Sequence, residues 1–292
     1  MNFGAHISSA GGVEHVPRRA GAIGAECVQF FTASPRGGKS ASGQIKSQKG
    51  KGEKGSVAEK SAAEFEKNRK KYGIRGAYVH TPYFINLASK NNRIYYGSIS
   101  AIRKDLEEAS LLGAEAVVTH IGSARDFAAH DRSLAVEHSK RAIQKILEGY
   151  EGTAELLLEI AAGAGQIMGD TLEEMADFLG ADKNVGGICF DTAHAFESGL
   201  DVSSPEKMTA ALDLIEKTIG VEKLKLVHIN DSKTSLGSRK DRHEHLGMGE
   251  IGLPAFMTLV TDKRMKKMDF ILETPSEQGL IDDLKVLKGM RE

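Results

Sequence analysis

The chain is predicted to fold as a (β/α)8 barrel, and three observations carry the prediction. Eight short apolar runs punctuate its 292 residues, segments of helical periodicity fill the intervals, and an ionisable residue closes six consecutive runs. Strand–helix alternation repeated eight times is the pattern of a parallel sheet, and eight units suit closure into a barrel.

The runs are residues 4–8, 27–31, 76–81, 116–121, 156–160, 187–191, 224–230 and 270–274. They are almost continuously hydrophobic, as strands buried on both faces must be. Between them, residues 101–112 place Ile102, Leu106, Ala109 and Leu112 on one face with charged residues opposite, the stripe of an amphipathic helix. Residues 133–147, 172–179, 205–219 and 253–260 repeat that pattern. The competing architecture is an open doubly wound sheet. It is disfavoured because no glycine-rich fingerprint with its acidic partner follows the first run.

The whole chain, 1–292, is expected to form one barrel domain with a single break in rhythm. Residues 36–60 are rich in Gly, Ser and Lys and read as a basic loop inserted after the second strand, either simply solvated or touching phosphates. Composition is that of a globular protein, 40% apolar and 27% charged. No run approaches the roughly 18 apolar residues of a membrane helix. Met1 to Ile7 enters a strand pattern at once, without the basic and apolar regions of a secretory signal, so a cytoplasmic location is expected. Cys27 and Cys189 each sit inside an apolar run, which predicts two buried thiols rather than a disulfide. A formal net charge of −1 neither requires nor excludes a nucleic-acid partner.

In a barrel the C-terminal ends of the strands build the active site. The third to eighth runs end on His80, His120, Glu159, Asp191, His228 and Glu273, and the sixth strand is read as continuing past Asp191 to His194. Six unpaired ionisable groups converging on one mouth would be costly without compensation. Bound metal is the simplest compensation, and imidazole with carboxylate but no thiolate suits zinc or manganese. The loop after the seventh run adds Asp241, His243 and His245. With His194 these make a further three-residue site, in which spacing alone leaves His243 and His245 undecided.

These motifs resemble those of endonuclease IV, the zinc-dependent apurinic/apyrimidinic endonuclease family, over nearly the whole chain. The likeness shows in Gly4-Ala5-His6-Ile7-Ser8 with Ala10-Gly11-Gly12, in His80 with Tyr83, Ile85-Asn86-Leu87, and in His120 with Gly122-Ser123. It continues in Cys189, Asp191-Thr192, His194-Ala195-Phe196 and Gly199, then in His228, Asn230-Asp231-Ser232-Lys233. Gly237-Ser238-Arg239, Asp241-Arg242-His243 and Leu272-Glu273-Thr274-Pro275 complete it.

The resemblance implies a three-zinc barrel that cuts double-stranded DNA on the 5′ side of an abasic site and leaves a 3′-hydroxyl. Trimming of blocked 3′ ends is a further activity it leaves open, manganese is an alternative ion at one position, and a monomer is expected. Carried over motif by motif, one zinc falls to His80, His120 and Glu159. A second shares Glu159 and adds Asp191, His228 and Glu273, and a third takes His194, Asp241 and His243. Glu159 is also the candidate for helping to deprotonate the attacking water. Tyr83 and Arg36 are implied to enter the duplex at the lesion.

Two departures stand out. Family members commonly follow the fifth-strand glutamate with Asn-Thr-Ala-Gly, whereas here Glu159 is followed by Ile160-Ala161-Ala162-Gly163, removing two polar groups that could orient ligands. The usual aromatic shortly after Arg36 is also missing, and the chain has no Trp. The alternative reading is a divalent-metal sugar isomerase or epimerase on a related barrel, which would use one or two ions.

Overall fold

The computed structural model describes residues 1–32, 57–128 and 131–291. Eight parallel strands close a barrel. They are β1 (Asn2–His6), β2 (Cys27–Phe30), β3 (Gly76–His80), β4 (Ala116–Thr119), β5 (Glu155–Glu159), β6 (Val185–Asp191), β7 (Leu224–His228) and, last in the chain, β10 (Asp269–Leu272). The order around the barrel is β1-β10-β7-β6-β5-β4-β3-β2. A small antiparallel pair, β8 (Asp231–Ser232) and β9 (His243–Glu244), sits in the connection after β7.

Apart from the sixth, the predicted runs reach a residue or two past the C-terminal ends of the strands. Ile7, Ile121, Ile160 and Ile229 lie beyond the last ladder residue yet are buried, so hydrophobicity outlasts the strand. Each strand alternates its faces. Phe3, Val28, Val79, Val117, Leu158, Phe190, Val227 and Phe270 turn outward into the main core under the helices. Cys27, Tyr78, Val118, Leu157, Cys189, Leu226 and Ile271 form a separate cluster inside the barrel. On β1 that inner place belongs to Gly4, where a Cβ would run into the Cys27 carbonyl oxygen. Both cysteines are free and buried, as the sequence predicts.

The flanking helices are α1 (Val16–Ala22), α2 (Val57–Tyr72), α3 (Asn92–Leu111), α4 (Arg132–Leu147), α5 (Leu172–Leu179), α6 (Thr192–Ser198), α7 (Pro205–Thr218), α8 (Leu253–Thr261) and α9 (Glu277–Arg291). Thr171 and Ser204 cap α5 and α7 by accepting the backbone N–H of Glu174 and Lys207, the expected use of a hydroxyl at a helix start. Helix α3 begins well before residue 101. Asn91 caps it, and its buried face includes Ser98 and Asp105, polar residues that break the apolar period. Of the basic stretch 36–60, residues 57–60 already belong to α2. The rest of it, including Arg36, lies outside the described residues. No helix among the described residues is long and apolar enough to cross a membrane.

Candidate metal centre

Two residues beyond the inner cluster, each strand presents its next inward side chain. Around the barrel these are His6, Gln29, His80, His120, Glu159, Asp191, His228 and Glu273. The period of two therefore delivers one polar group from every strand to a single layer. The six strand-end residues expected from the sequence all lie in it. Gln29 and His6 complete the ring, and strand parity was the signal that could have found them.

Glu159 is fully buried at the centre. Its Oε2 lies 2.9 Å from His80 Nε2 and 3.3 Å from His120 Nε2. Its Oε1 lies 2.9 Å from His228 Nδ1 and 3.4 Å from His194 Nδ1. The two carboxylate oxygens thus face two different sets of imidazoles. Burial would raise the Glu159 pKa, but His120, His228 and His194 hold it well below the usual carboxylate range. Burial is likewise outweighed at Glu273, chiefly by His228 and His6, and at Asp241 by His194 and His243. These carboxylates are ionised.

His194 departs from the sequence reading, which continued the sixth strand to it. It stands in the first turn of α6, whose N-cap Asp191 accepts its backbone N–H at 2.8 Å. Its Nδ1 donates to the Ile160 carbonyl at 3.0 Å. That bond comes from the backbone, so the apolar side chains at 160 and 161 do not remove it.

His243 arrives on β9 of the small antiparallel pair. Asp231, fully buried beside it, accepts the backbone N–H groups of Gly247, Gly249 and Ile251 at 2.9–3.2 Å and so shapes the following loop. His243 turns inward and its Nδ1 meets the Glu273 carbonyl at 3.3 Å. His245 turns the other way, with Nδ1 2.8 Å from Asp283 Oδ2. Geometry therefore brings His243 to the cluster and takes His245 out of it.

Three groups of ligand-type atoms result, each mutually within 4.8 Å: His80, His120 and Glu159; Glu159, Asp191, His228 and Glu273; and Asp191, His194 and His243. Asp241, half exposed, places Oδ1 3.5 Å from His194 Nε2 and 3.7 Å from His243 Nε2. Asp191 Oδ2 is 3.7 Å from His243 Nε2, so two carboxylates border this third group.

The donor chemistry fits a cation. His80 Nδ1 donates to the Thr81 carbonyl at 2.7 Å, as His194 and His243 donate to theirs. In each ring Nδ1 is the donor to a carbonyl, and the inner Nε2 is the atom left to offer a lone pair to an ion. His194 Nε2 and His243 Nε2 face each other at 3.3 Å with Asp241 alongside. Imidazole nitrogens and carboxylate oxygens converge on one point, a donor set that suits zinc or manganese.

The cluster floors a cavity of about 450 Å³ bordered by Phe31, Tyr83 and Arg242. A second cavity, also about 450 Å³, lies across Tyr83, His120, His194 and Asp241 and includes Arg125. Tyr83 is 72% exposed and stands edge-on to Phe31, ring centres 5.4 Å apart.

Comparison with known proteins agrees with this architecture. Residues 17–290 match the family model described as xylose isomerase-like TIM barrel. Across its full length the chain is 38% identical to a probable endonuclease 4 of Carboxydothermus hydrogenoformans, covering 97% of that protein. It is 35% identical to one of Natranaerobius thermophilus, covering 99% of it. The chain belongs to the endonuclease IV family. The crystal structure of endonuclease IV from Thermus thermophilus superposes with a TM-score of 0.84 at 33% identity, covering 99% of this chain and 98% of that one. A D-tagatose 3-epimerase-like protein superposes at TM-score 0.70 with 20% identity, a likeness of fold alone. Within the endonuclease IV family frame, the strand-end layer and the β8–β9 connection are the parts of this chain that build its site.

Proposed function

We propose that the chain is a zinc-dependent endonuclease that hydrolyses the phosphodiester on the 5′ side of abasic sites in double-stranded DNA, leaving a 3′-hydroxyl, and that it acts as a monomer. The observation that carries this reading is the convergence of three donor groups on one floor, with His194 Nε2 and His243 Nε2 facing each other at 3.3 Å. Family membership and likeness to the Thermus endonuclease IV support it.

His80, His120 and Glu159 would hold one ion. Glu159, Asp191, His228 and Glu273 would hold a second, and His194, Asp241 and His243 a third. Bound zinc supplies Lewis acidity, lowering the pKa of a coordinated water toward about 7 and neutralising phosphate charge. Four carboxylates against three divalent cations leave the site net positive, which suits an anionic phosphodiester. Glu159, with its two oxygens turned to different imidazoles, would serve both the first and the second ion and is the group assigned to help remove the proton of the attacking water. Tyr83, exposed at the rim, stacks into the gap left by the missing base, and that gap lowers the cost of turning the nucleotide out of the helix. Arg36, outside the described residues, is assigned to the same task by the resemblance alone.

The test is incision of a duplex carrying one tetrahydrofuran abasic analogue. The reading expects a single cut 5′ to the lesion with a primer end that a polymerase extends. A zinc-loaded protein that leaves this duplex intact but epimerises a ketose would overturn it in favour of the sugar enzyme.

A further inference from the structure

Gln29 is fully buried in the strand-end layer and has three polar partners. Its Oε1 lies 2.8 Å from His228 Nε2. Its Nε2 lies 2.6 Å from Glu273 Oε1 and 3.0 Å from His6 Nδ1. The opposite orientation of the amide would set its oxygen against the ionised Glu273, so the NH₂ must face that carboxylate.

The consequences follow from what an amide can donate and accept. Because Oε1 only accepts, His228 must carry its proton on Nε2. Its Nδ1 is turned toward Glu159 Oε1 at 2.9 Å and Glu273 Oε2 at 3.4 Å, where it donates to a carboxylate while no ion is bound and would turn a lone pair to an ion that took that proton's place. Because the NH₂ only donates, one of its protons goes to Glu273 Oε1 and the other to His6 Nδ1, which lies 3.2 Å from Glu273 Oε1 and would otherwise donate there. His6 then holds its own proton on Nε2, a buried atom with no partner among the described residues on a side chain lining the cavity.

We propose that Gln29 is a positioning residue that sets the tautomers of both His228 and His6 and holds one oxygen of Glu273, leaving the other turned to His228. Through these bonds it determines which atoms face the second ion. The inference rests on the metal centre proposed above, since His228 presents a lone pair on Nδ1 only when an ion is bound there.

The experiment uses full-length protein labelled with ¹⁵N-histidine, compared with Gln29→Met and Gln29→Glu. Long-range ¹H–¹⁵N spectra report the tautomers, and metal analysis after chelator challenge reports zinc retention. In the zinc-loaded native protein both His6 and His228 should carry their single ring proton on Nε2. In Gln29→Met, His6 should switch to the Nδ1–H form that donates to Glu273, and zinc retention should fall about 10–100-fold. Gln29→Glu keeps an acceptor for His228 but no donor, so only the His6 tautomer should change. If Gln29→Met does not fold, Gln29→Glu decides. Unchanged tautomers with native zinc retention would overturn the inference. Native protein that binds no zinc would instead overturn the proposed function, and the His6 tautomer would still decide the role of Gln29.

Discussion

His194 and His243 face each other Nε2 to Nε2 at 3.3 Å, while each ring's Nδ1 is turned to a backbone carbonyl. Two imidazole nitrogens so placed need a proton or a metal ion between them. The histidine two residues on has no such relationship, since His245 is bonded to Asp283.

Substituting these neighbours should therefore give opposite results. His243→Ala should lose one of three zincs and most incision activity while melting near the native temperature of the metal-free protein. His245→Ala should keep all three zincs. It leaves the buried Asp283 short of a partner and should cost about 1–3 kcal/mol of stability. Metal analysis and urea denaturation of both variants check this, and equal metal content in the two would count against the assignment.

Asp105 is a second, independent handle. Burial pushes its carboxyl up to about 7, against the opposing hydrogen bond from Thr32 at 2.6 Å, and its Oδ2 has no partner among the described residues. A raised folded-state pKa favours the protonated form. Its contribution is thus fully present below the ordinary value of about 3.8 and is lost as pH rises through about 7. Asp105→Asn, which stays neutral, should be more stable than the native protein at pH 8, by an amount on the order of a few kcal/mol. That advantage should shrink at pH 5. Urea melts at the two pH values test it, and a pH-independent difference would be the contrary result.

Tyr83 belongs to recognition in this account and not to the metal floor. Tyr83→Ala should keep three zincs and a nearly native kcat. KM for the abasic duplex should rise roughly tenfold, the scale of one lost stacking contact of about 1–3 kcal/mol. A large fall in kcat at unchanged KM would place Tyr83 in the chemistry instead.

The barrel was legible because strands buried on both faces print as continuous apolar runs, and because six of the eight strands end on an ionisable residue. Strand ends were less legible, since Ile7, Ile121, Ile160 and Ile229 stay buried past the ladder. Helix α3 lost its first turns to view because Ser98 takes a place on its buried face where the apolar period calls for a hydrophobic residue. The β8–β9 pair is too short to leave a periodic signal. Spacing could not separate His243 from His245, because the choice is made by the β9 backbone and by Asp283, a residue on α9. Gln29 was invisible to a search for ionisable groups. It is an amide whose importance comes from its partners, His6, His228 and Glu273, which are far apart in the chain. In the sequence the Ile160-Ala161 departure reads as a loss of ligand support, but support for His194 comes from a carbonyl that every residue type supplies.

The central claim is the number of ions this floor holds. Mass-spectrometric metal analysis of the folded, full-length protein, purified without added chelator, measures it directly. The account predicts about three zincs per chain, with incision lost on chelation and restored by zinc. One ion or none in a folded chain would contradict it.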